Sequence, residues 1–293
     1  MVIVRLCGGL GNQMFQYVAG YALARLHGSA LRFDTSWFET NRLHNGLELD
    51  RVFGLTLAEA TASDKRRILG WAAQRVVYRV LARKYLKPLR PRSMVMEPHF
   101  HYWPGFADLP DDVYLDGYWQ SERYFASVAP ELRERFRFAL PLDPRSADLV
   151  EAMAQQESVS IHVRRGDFVS DPSVNQVHGV DLSGYYRAAI AAIRERVRQP
   201  IFYVFSDEPQ WVRQHLEIPA QSVIVDHNRG EDSYRDMQLM SACRHHILAN
   251  SSFSWWAAWL NPREDKIVIA PRQWFAVADL DTRDLYCQGW IVL

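Results

Sequence analysis

Cysteine is scarce in this sequence, and long apolar runs are missing from it. The three cysteines, Cys7, Cys243 and Cys287, form no C-x-x-C pair and show no metal-ligand spacing, which predicts reduced thiols in a cytoplasmic protein. No run of about 18 apolar residues is present to span a bilayer. Met1 leads directly into the apolar segment from Val2 without a secretion signal, so we expect neither export nor a membrane-spanning helix.

Charge of one sign is not in excess either, because 34 basic residues balance 34 acidic ones. Without a chain-wide positive field, nucleic acid is not an expected partner. The sequence has no His and Cys cluster for zinc, no G-x-x-x-x-G-K-[ST] phosphate loop and no G-x-S-x-G serine motif. Its Asp-x-Asp, from Asp279 to Asp281, follows no predicted strand and is interpreted as a turn, so we expect no metal requirement.

The length and composition fit two ordinary domains. The chain has 293 residues, of which 48% are hydrophobic and 23% charged, a balance typical of soluble globular proteins. Predicted strands alternate with predicted helices, which indicates an α/β fold with parallel sheets. Pro141 and Pro144 flank a polar stretch that is interpreted as the interdomain boundary. We therefore predict an N-terminal domain over residues 1–145 and a C-terminal domain over 146–293.

The strand predicted from Ser158 to Val163 is the centre of the second domain. Val159, Ile161 and Val163 alternate with two serines and His162, which predicts one apolar and one polar face. The strand ends at Arg164-Arg165-Gly166-Asp167, at the carboxyl edge where open α/β sheets bind ligands. Paired arginines suit a phosphate because guanidinium forks bind phosphate oxygens bidentately. A local ion pair between Arg164 and Asp167 is the simpler alternative.

Strands and helices continue to alternate after this strand. Strands are predicted at 201–205, 223–225, 246–249 and 267–270, the last one closed by Pro271, and helices at 185–198, at 233–243 and after 250–254. Loops that follow parallel strands fall on one edge of a sheet, so Arg164–Asp167, Ser206–Glu208 and Asn250–Ser254 should converge on one pocket. Arginines and helix N-terminal N–H groups there would hold a diphosphate, and Asp207 or Glu208 would accept hydrogen bonds from a purine.

A glycine-rich turn opens the first domain. Residues Cys7 to Gln13, CGGLGNQ, follow the first strand and lead into a helix that ends at Gly28, with Asn12 interpreted as its N-cap. The turn fits either a nucleotide phosphate or a purely structural role. Asp34, about 20 residues further on, lies where nicotinamide-dependent oxidoreductases place a ribose-binding acid. An NAD(P)-dependent oxidoreductase and a sugar-binding module without turnover therefore stay open.

Basic residues are concentrated between Lys65 and Arg92, where ten Lys or Arg occur without one acidic residue. Arg75, Arg79, Arg83 and Lys87 are spaced by four, which predicts a basic stripe along one helix. This stripe is interpreted either as a solvated helix face or as a weak, salt-sensitive contact with an anionic membrane surface.

Four blocks, in order along the chain, resemble the bacterial α-1,2-fucosyltransferases. They are GGLGNQMFQY at 8–17, HVRRGD at 162–167, HGV at 178–180 and NSSFSWW at 250–256. The resemblance runs from residue 8 to around residue 261 and leaves mainly residues 35–110 unmatched. It implies a GT-B fold, in which two Rossmann-like domains with parallel sheets face a cleft. The first domain would mainly bind the acceptor and the second the GDP-fucose donor.

The same resemblance implies a reaction. The protein is expected to move L-fucose from GDP-β-L-fucose to the 2-hydroxyl of a galactose-type acceptor, with inversion and without a metal or other cofactor. The acceptor would be a galactose-containing oligosaccharide or a lipid-linked glycan, such as the repeat of a cell-surface polysaccharide or O-antigen. The enzyme would then be cytoplasmic, with at most a peripheral contact at the inner face of the cytoplasmic membrane.

Roles for individual residues also follow from the resemblance. Arg164 would hold the β-phosphate, and His162 with Asp207 or Glu208 would contact guanine. Two groups would enclose the diphosphate: Gly9, Gly11 and Asn12 from one domain, and Ser251, Ser252, Phe253 and Ser254 from the other.

The residue chemistry agrees with such a transfer. Breaking a sugar–diphosphate bond builds negative charge on the β-phosphate, which fixed guanidinium donors stabilise without a cation. A single displacement needs one base for the proton of the acceptor hydroxyl. Asp167 is the first candidate, with an orienting ion pair to Arg164 as its alternative role, and His178 is the second.

Overall fold

A computed structural model of the protein describes residues 1–41, 45–166 and 171–293. The chain divides into two compact units, Met1–Ala139 with Asp281–Leu285, and Leu140–Leu280 with Tyr286–Leu293. The division falls before the boundary predicted at 145/146, because Pro144 begins a helix of the second unit instead of lying in a linker. The return of Asp281–Leu285 to the first unit is fixed by Asp284, which accepts hydrogen bonds from Arg123 at 2.8 Å and from the Tyr102 N–H at 3.2 Å.

A parallel sheet forms the first unit. Its four strands within the described residues have the order β2-β1-β4-β3. They are β1 (Val2–Arg5), β2 (Leu31–Asp34), β3 (Met94–Met96) and β4 (Val113–Asp116). The α-helices of this unit are α1 (Leu10–His27), α2 (Ser36–Thr40), α3 (Leu49–Phe53), α4 (Ala62–Leu69), α5 (Arg75–Leu81) and α6 (Ala129–Arg135). Val2, Ile3 and Val4 have no exposed surface, as expected for a central parallel strand covered on both faces.

The basic segment from Lys65 to Arg92 is not one helix, so that prediction is wrong. Helix α5 ends at Leu81, and a separate 3₁₀ helix occupies Lys84–Leu89. The Arg90 guanidinium explains the break, because it donates hydrogen bonds to the carbonyls of Leu81, Ala82 and Arg83 at 2.7, 3.0 and 3.1 Å. Side chains that satisfy the last carbonyls of a helix stabilise its end at that point.

The second unit contains a larger parallel sheet. Six strands among the described residues have the order β10-β9-β8-β5-β6-β7. They are β5 (Ser158–Val163), β6 (Ile201–Ser206), β7 (Ser222–Val225), β8 (His245–Ile247), β9 (Val268–Ala270) and β10 (Ile291–Val292). The α-helices are α7 (Pro144–Ala154), α8 (Pro172–His178), α9 (Ser183–Arg196), α10 (Pro209–His215), α11 (Tyr234–Ala242) and α12 (Ser252–Leu260). These elements confirm the alternation predicted from the sequence.

Two details of this sheet differ from the prediction. Strand β5 is buried along its whole length, because it is central, so its polar face is covered instead of solvated. The covered hydroxyls have partners: Ser158 donates to the Met153 carbonyl at 3.0 Å, and Ser160 lies 2.9 Å from His246 Nδ1. The strand ending at Ala270 is not the last one, since the short β10 pairs beside it.

Strand β5 packs its apolar face on helix α9. Val159, Ile161 and Val163 join Ala189 and Ile193 in one buried cluster. This packing fixes the direction in which β5 leaves the sheet. Throughout the ranges described, no helix has both the length and the apolar composition needed to cross a bilayer.

Candidate active site

Three neighbouring strands of the second sheet bring the predicted site loops to one edge. Strand β5 lies between β6 and β8, and all three run parallel. In this register Val163 is paired with Ser206, so the residues that follow, Arg164 and Asp207, leave the sheet side by side. The carboxyl edge of such a sheet is where α/β proteins bind their ligands.

The two arginines after β5 are each held by an acid after β6. Arg164 Nη1 lies 2.9 Å from Asp207 Oδ2, and Arg165 Nε lies 3.2 Å from Glu208 Oε2. The second oxygen of Asp207 accepts the Arg165 backbone N–H at 3.0 Å. Burial raises the pKa of Asp207, and the Arg164 charge opposes this rise. The arginine loop, residues 164–166, is therefore fixed by a partly buried acidic pair instead of moving freely in solvent.

Two further features define the conformation of the arginine loop. The Arg165 guanidinium stacks on the Trp211 ring, 3.6 Å from its centroid, a contact that contributes about 0.5–2 kcal/mol. At Gly166 there is no room for a side chain, since a Cβ would lie 2.5 Å from Asp207 Oδ2. Glycine thus allows the loop backbone to approach the carboxylate that positions Arg164.

His162 lies beneath this loop with a buried ring. Its Nδ1 is buried and meets no hydrogen-bond partner in the part of the chain that the structure describes. Burial, and then the Arg164 charge, lower the pKa of His162 to about 3, so the ring is neutral at physiological pH and offers one donor and one acceptor. The ring centroid is 5.7 Å from that of Phe253, which brings the loops after β5 and β8 together.

Helix α12 begins at the same edge, directly after β8. Ser251 is its N-cap, and its hydroxyl accepts the Phe253 N–H at 3.3 Å. Ser254 donates to the Ser251 carbonyl at 3.1 Å, so its hydroxyl supports the turn. The first turn, which includes Ser252, carries no acidic residue. A helix N-terminus of this kind attracts an anion through its N–H groups and its dipole.

His178, the second candidate base, ends helix α8 and is tied to the loop after β8. Asn250 Nδ2 donates to the His178 carbonyl at 3.0 Å and to the Trp274 carbonyl at 3.1 Å. The imidazole ring lies 5.2 Å from the Phe275 ring. Asp167, the first candidate, lies outside the described residues. Within the described residues, Arg164 forms an ion pair with Asp207.

The glycine turn of the first unit is built differently from the prediction. Helix α1 begins at Leu10 with Gly9 as its N-cap, so Asn12 is in the first turn and the N-cap assignment to Asn12 is wrong. Asn12 Oδ1 accepts Gln120 Nε2 at 2.8 Å. Gly8 has φ +76°, and a Cβ there would lie 2.8 Å from Asn12 Nδ2. Gly11 is buried in the same first turn.

A buried acid, which the sequence did not single out, occupies the N-terminus of α1. Glu48 is 3% exposed and accepts the Leu10 backbone N–H. Burial raises the pKa of Glu48, and Arg51, whose Nη2 lies 2.9 Å from its Oε1, opposes the rise. Because the Glu48 carboxylate already contacts the start of α1, this helix N-terminus is a weaker anion site than the glycine-rich sequence at residues 7–13 suggested.

Asp34 is engaged inside the first unit. Its Oδ2 accepts the Tyr114 hydroxyl at 2.7 Å, and its Oδ1 accepts Lys65 Nζ at 3.1 Å and the Ser36 N–H at 3.1 Å. It is 6% exposed. These contacts satisfy the carboxylate, so the argument that it binds a nicotinamide ribose loses its basis.

Asp236, in the first turn of α11, was also not singled out by its sequence pattern. It follows β7 on the same edge as the arginine loop, and its Oδ1 accepts Asn228 Nδ2 at 2.8 Å. Burial raises its pKa to about 7. The sequence around Asp236 resembles that of an exposed helix start and did not indicate that its carboxylate is buried.

A hollow of about 930 Å³ lies at the opposite, amino edge of the second sheet, near Glu157, Pro200 and Gln221. It is therefore remote from the arginine loop.

Comparison with known proteins agrees with this architecture. A model of the family described as glycosyl transferase family 11 matches residues 97–293. The alpha-1,2-colitosyltransferase of Escherichia coli is 34% identical over 292 residues, 99% of this chain and 98% of that protein. The O-antigen biosynthesis glycosyltransferase WbnK of Escherichia coli is 32% identical, covering 92% of this chain and 94% of that protein. Galactoside alpha-(1,2)-fucosyltransferase 2 of Sus scrofa is 28% identical, with coverages of 89% and 69%.

Among solved structures, NodZ alpha-1,6-fucosyltransferase soaked with GDP-fucose matches with a TM-score of 0.54 and 15% identity, over 96% of this chain and 99% of that chain. This similarity concerns the fold. Two units with parallel sheets, the second carrying a fixed arginine loop at its carboxyl edge, define a glycosyltransferase of the GT-B class. The chain belongs to glycosyl transferase family 11. This family assignment gives no support to the oxidoreductase alternative.

Proposed function

We propose that the chain moves L-fucose from GDP-β-L-fucose to the 2-hydroxyl of a galactose-type acceptor, with inversion and without a metal. The observation that carries this proposal is the arginine loop, in which two partly buried acids, Asp207 and Glu208, hold two guanidinium groups at the carboxyl end of β5. Fixed cations at that place suit a diphosphate leaving group. The names of the relatives support the fucosyl or colitosyl class and an acceptor within an O-antigen type of glycan.

In the proposed step, the acceptor 2-hydroxyl oxygen attacks C1 of fucose as the bond from C1 to the β-phosphate oxygen breaks. GDP leaves with the bonding electron pair, and its new negative charge is stabilised by Arg164. Because Asp207 already orients Arg164, no side chain has to reorganise when the charge develops. Attack opposite the leaving group converts the β-linked donor into an α-linked product.

Other groups at the same edge would bind the donor. The N-terminus of α12, at Ser251, Ser252, Phe253 and Ser254, would receive a phosphate oxygen. Neutral His162, at the end of β5, would contact guanine. Glu208 is the better candidate for the guanine amine, because both oxygens of Asp207 are used by the arginine loop.

The first unit would mainly bind the acceptor. Gly9, Gly11 and Asn12 remain the proposed contacts to the diphosphate from that unit, although Glu48 shares the helix start with them. The acceptor would be a galactose-containing oligosaccharide or a lipid-linked glycan, and the location cytoplasmic.

The proton of the acceptor hydroxyl needs a base, for which Asp167 and then His178 are proposed. Asp167→Asn should abolish transfer while GDP affinity stays within about tenfold, because shape is kept and only the proton acceptor is lost. Loss of GDP binding as well would make Asp167 a positioning residue and His178 the base.

A second donor deserves testing because the 34% identical relative is a colitosyltransferase. Purified protein should be assayed with GDP-fucose, GDP-colitose, GDP-mannose and UDP-galactose against β-galactoside acceptors, with and without excess EDTA. We expect turnover with GDP-fucose, at a rate unchanged by EDTA. Turnover with GDP-colitose alone would mean that colitose is the transferred sugar instead of fucose. Turnover that EDTA abolishes and Mn²⁺ restores would contradict metal independence, and turnover with neither donor would contradict the proposed function.

A further inference from the structure

Residues 71–92 of the first unit expose apolar side chains to an unusual extent. Of the ten large hydrophobic side chains exposed in the described parts of the chain, five lie in this short segment. They are Trp71 (61% exposed), Val76 (74%), Val80 (41%), Tyr85 (69%) and Leu89 (60%). Isolated exposed apolar residues need no explanation, but a cluster of them marks an interaction surface.

Basic side chains are interleaved with these apolar ones. The exposed cations of the segment are Arg75, Arg79, Arg83, Lys84, Lys87 and Arg92. Lys65 and Arg67, just before the segment, pair with Asp34 and Asp112. For the six exposed cations, by contrast, the described residues provide no carboxylate partner within ion-pair distance. We call the five apolar and six basic side chains together the amphipathic surface.

The amphipathic surface stands on a well-packed base. On its inner side Ala72 and Leu81 are buried in a cluster with Met94 and Tyr114 of the sheet. The Tyr78 hydroxyl binds Asp116, and Arg90 closes the end of α5. The exposed side chains therefore do not result from a poorly packed helix. Val76 and Val80 are one helical turn apart on the outer face of α5, as are Arg75 and Arg79.

We infer that the amphipathic surface docks the protein on an anionic lipid bilayer. Anionic headgroups complement the six cations, and Trp and Tyr prefer the boundary between headgroups and acyl chains. Each basic side chain near such a surface raises the partition coefficient roughly fivefold at low salt. The apolar side chains add a contribution that salt does not screen. The proposal does not depend on the donor or the acceptor of the enzyme.

Charge complementarity selects lipid over a second copy of this chain. The segment 65–92 contains no acidic residue, so two such surfaces would repel each other in a symmetric dimer. The mixture of cations with Trp, Tyr, Val and Leu also differs from a purely solvated helix face, which would expose few large apolar groups.

The test is co-sedimentation of the full chain with unilamellar vesicles of phosphatidylcholine alone or with phosphatidylglycerol, at low and at physiological salt. The charge variant changes Arg75, Arg79, Arg83 and Lys87 to Gln. The apolar variant is Trp71→Ser with Tyr85→Ser. The matched control changes four exposed arginines to Gln, namely Arg187, Arg194 and Arg196 of α9 and Arg198 just after it. Circular dichroism and turnover of a soluble acceptor verify that each variant is folded.

We expect binding to vesicles that contain phosphatidylglycerol, weaker at physiological salt, and little binding to phosphatidylcholine alone. The charge variant should lose at least about tenfold in partition coefficient at low salt, and the apolar variant should lose most of the binding that persists at physiological salt. The α9 control should bind like the wild type. No binding at either salt, an equal loss in the α9 control, or a concentration-dependent dimer that the apolar variant abolishes would overturn the proposal.

Discussion

At the scale of single residues, Arg164 is the group on which the proposed chemistry depends most. Its side chain is 26% exposed, and its guanidinium is oriented by Asp207 at 2.9 Å, so it can meet a ligand without leaving its partner. A lysine could supply the charge but not the planar fork that binds a carboxylate and a phosphate together.

We predict that Arg164→Ala lowers kcat by about 10²- to 10³-fold, the usual scale for removing a preorganised charge-stabilising donor. Arg164→Lys should recover little of this loss. Removing Arg164 alone leaves the Asp207 carboxylate without its cation, so the double variant Arg164→Ala with Asp207→Asn is the control for this effect. The double variant should have a kcat as low as that of Arg164→Ala. Steady-state kinetics at saturating donor decide this, and recovery in the double variant would mean that Arg164 only neutralises Asp207.

Residue types at strand ends were predictable, whereas their pairings were not. The sequence indicated arginines after one strand and acids after the next because the polar residues interrupt the apolar pattern there. That Asp207 would use both oxygens on the arginine loop depends on the register of β5 and β6, which single-chain periodicity does not contain. Glu48 and Asp236 were missed because a single acidic residue carries no sign of its own burial in the sequence.

At the scale of elements, the arginine loop after β5 depends on a close approach between its backbone at Gly166 and the side chain of Asp207. Gly166 leaves no space for a methyl group beside Asp207. A substitution there has to displace the carboxylate that holds Arg164, although Gly166 itself has no chemistry.

We expect Gly166→Ala to lower kcat at least about tenfold, because small displacements of a positioning group are costly for catalysis. Gly184→Ala is the matched control. Gly184 lies in α9 with no atom within 4 Å of an added Cβ, so this change should leave kcat within about threefold and slightly favour the helix. The two variants should be compared in the same turnover assay, and equal kcat values for both would refute the positioning role of the loop.

The elements predicted best were those with strong periodicity. Strands β5 and β6 and helices α9 and α11 agree with the sequence pattern to within a few residues, because buried apolar positions repeat regularly in them. The break after α5 and the strand β10 were missed. Both depend on contacts from distant residues: the Arg90 side chain ends α5, and β10 exists only because it pairs with β9.

At the scale of the whole molecule, one buried acid links stability to pH. Glu97, after β3, accepts the Tyr118 N–H at 2.7 Å and the Trp119 N–H at 3.0 Å. Burial raises its pKa to about 7 despite these hydrogen bonds. A carboxyl group with a raised pKa binds its proton more tightly in the folded state, so its stabilising contribution is complete below its ordinary pKa and is lost as pH rises through about 7.

We predict that the free energy of unfolding of the wild type, relative to Glu97→Gln, falls between pH 5 and pH 8 by at most about 3 kcal/mol. The glutamine cannot ionise, so the variant lacks this dependence. Urea unfolding of both proteins at several pH values within that range measures the difference. A difference that stays constant, or one that grows with pH, would show that the pKa of Glu97 is not raised.

The division of the chain into two α/β units was predictable from the alternation of strands and helices. Which chain segments belong to which unit was not fully predictable, because Asp281–Leu285 returns to the first unit through the contact of Asp284 with Arg123. Which sugar is transferred depends on small differences in the shape of the donor pocket, and the sequence motifs do not distinguish one similar sugar from another.

The central claim is inverting transfer of a GDP-linked sugar to a galactose 2-hydroxyl. Its most direct test is nuclear magnetic resonance of the product formed from GDP-β-L-fucose and a methyl β-galactoside, followed from the first turnovers. The account predicts one new α-linked fucose, identified by its anomeric coupling, and a through-bond correlation from its C1 to C2 of galactose. A β-linked product, or attachment at any other galactose hydroxyl, would contradict it.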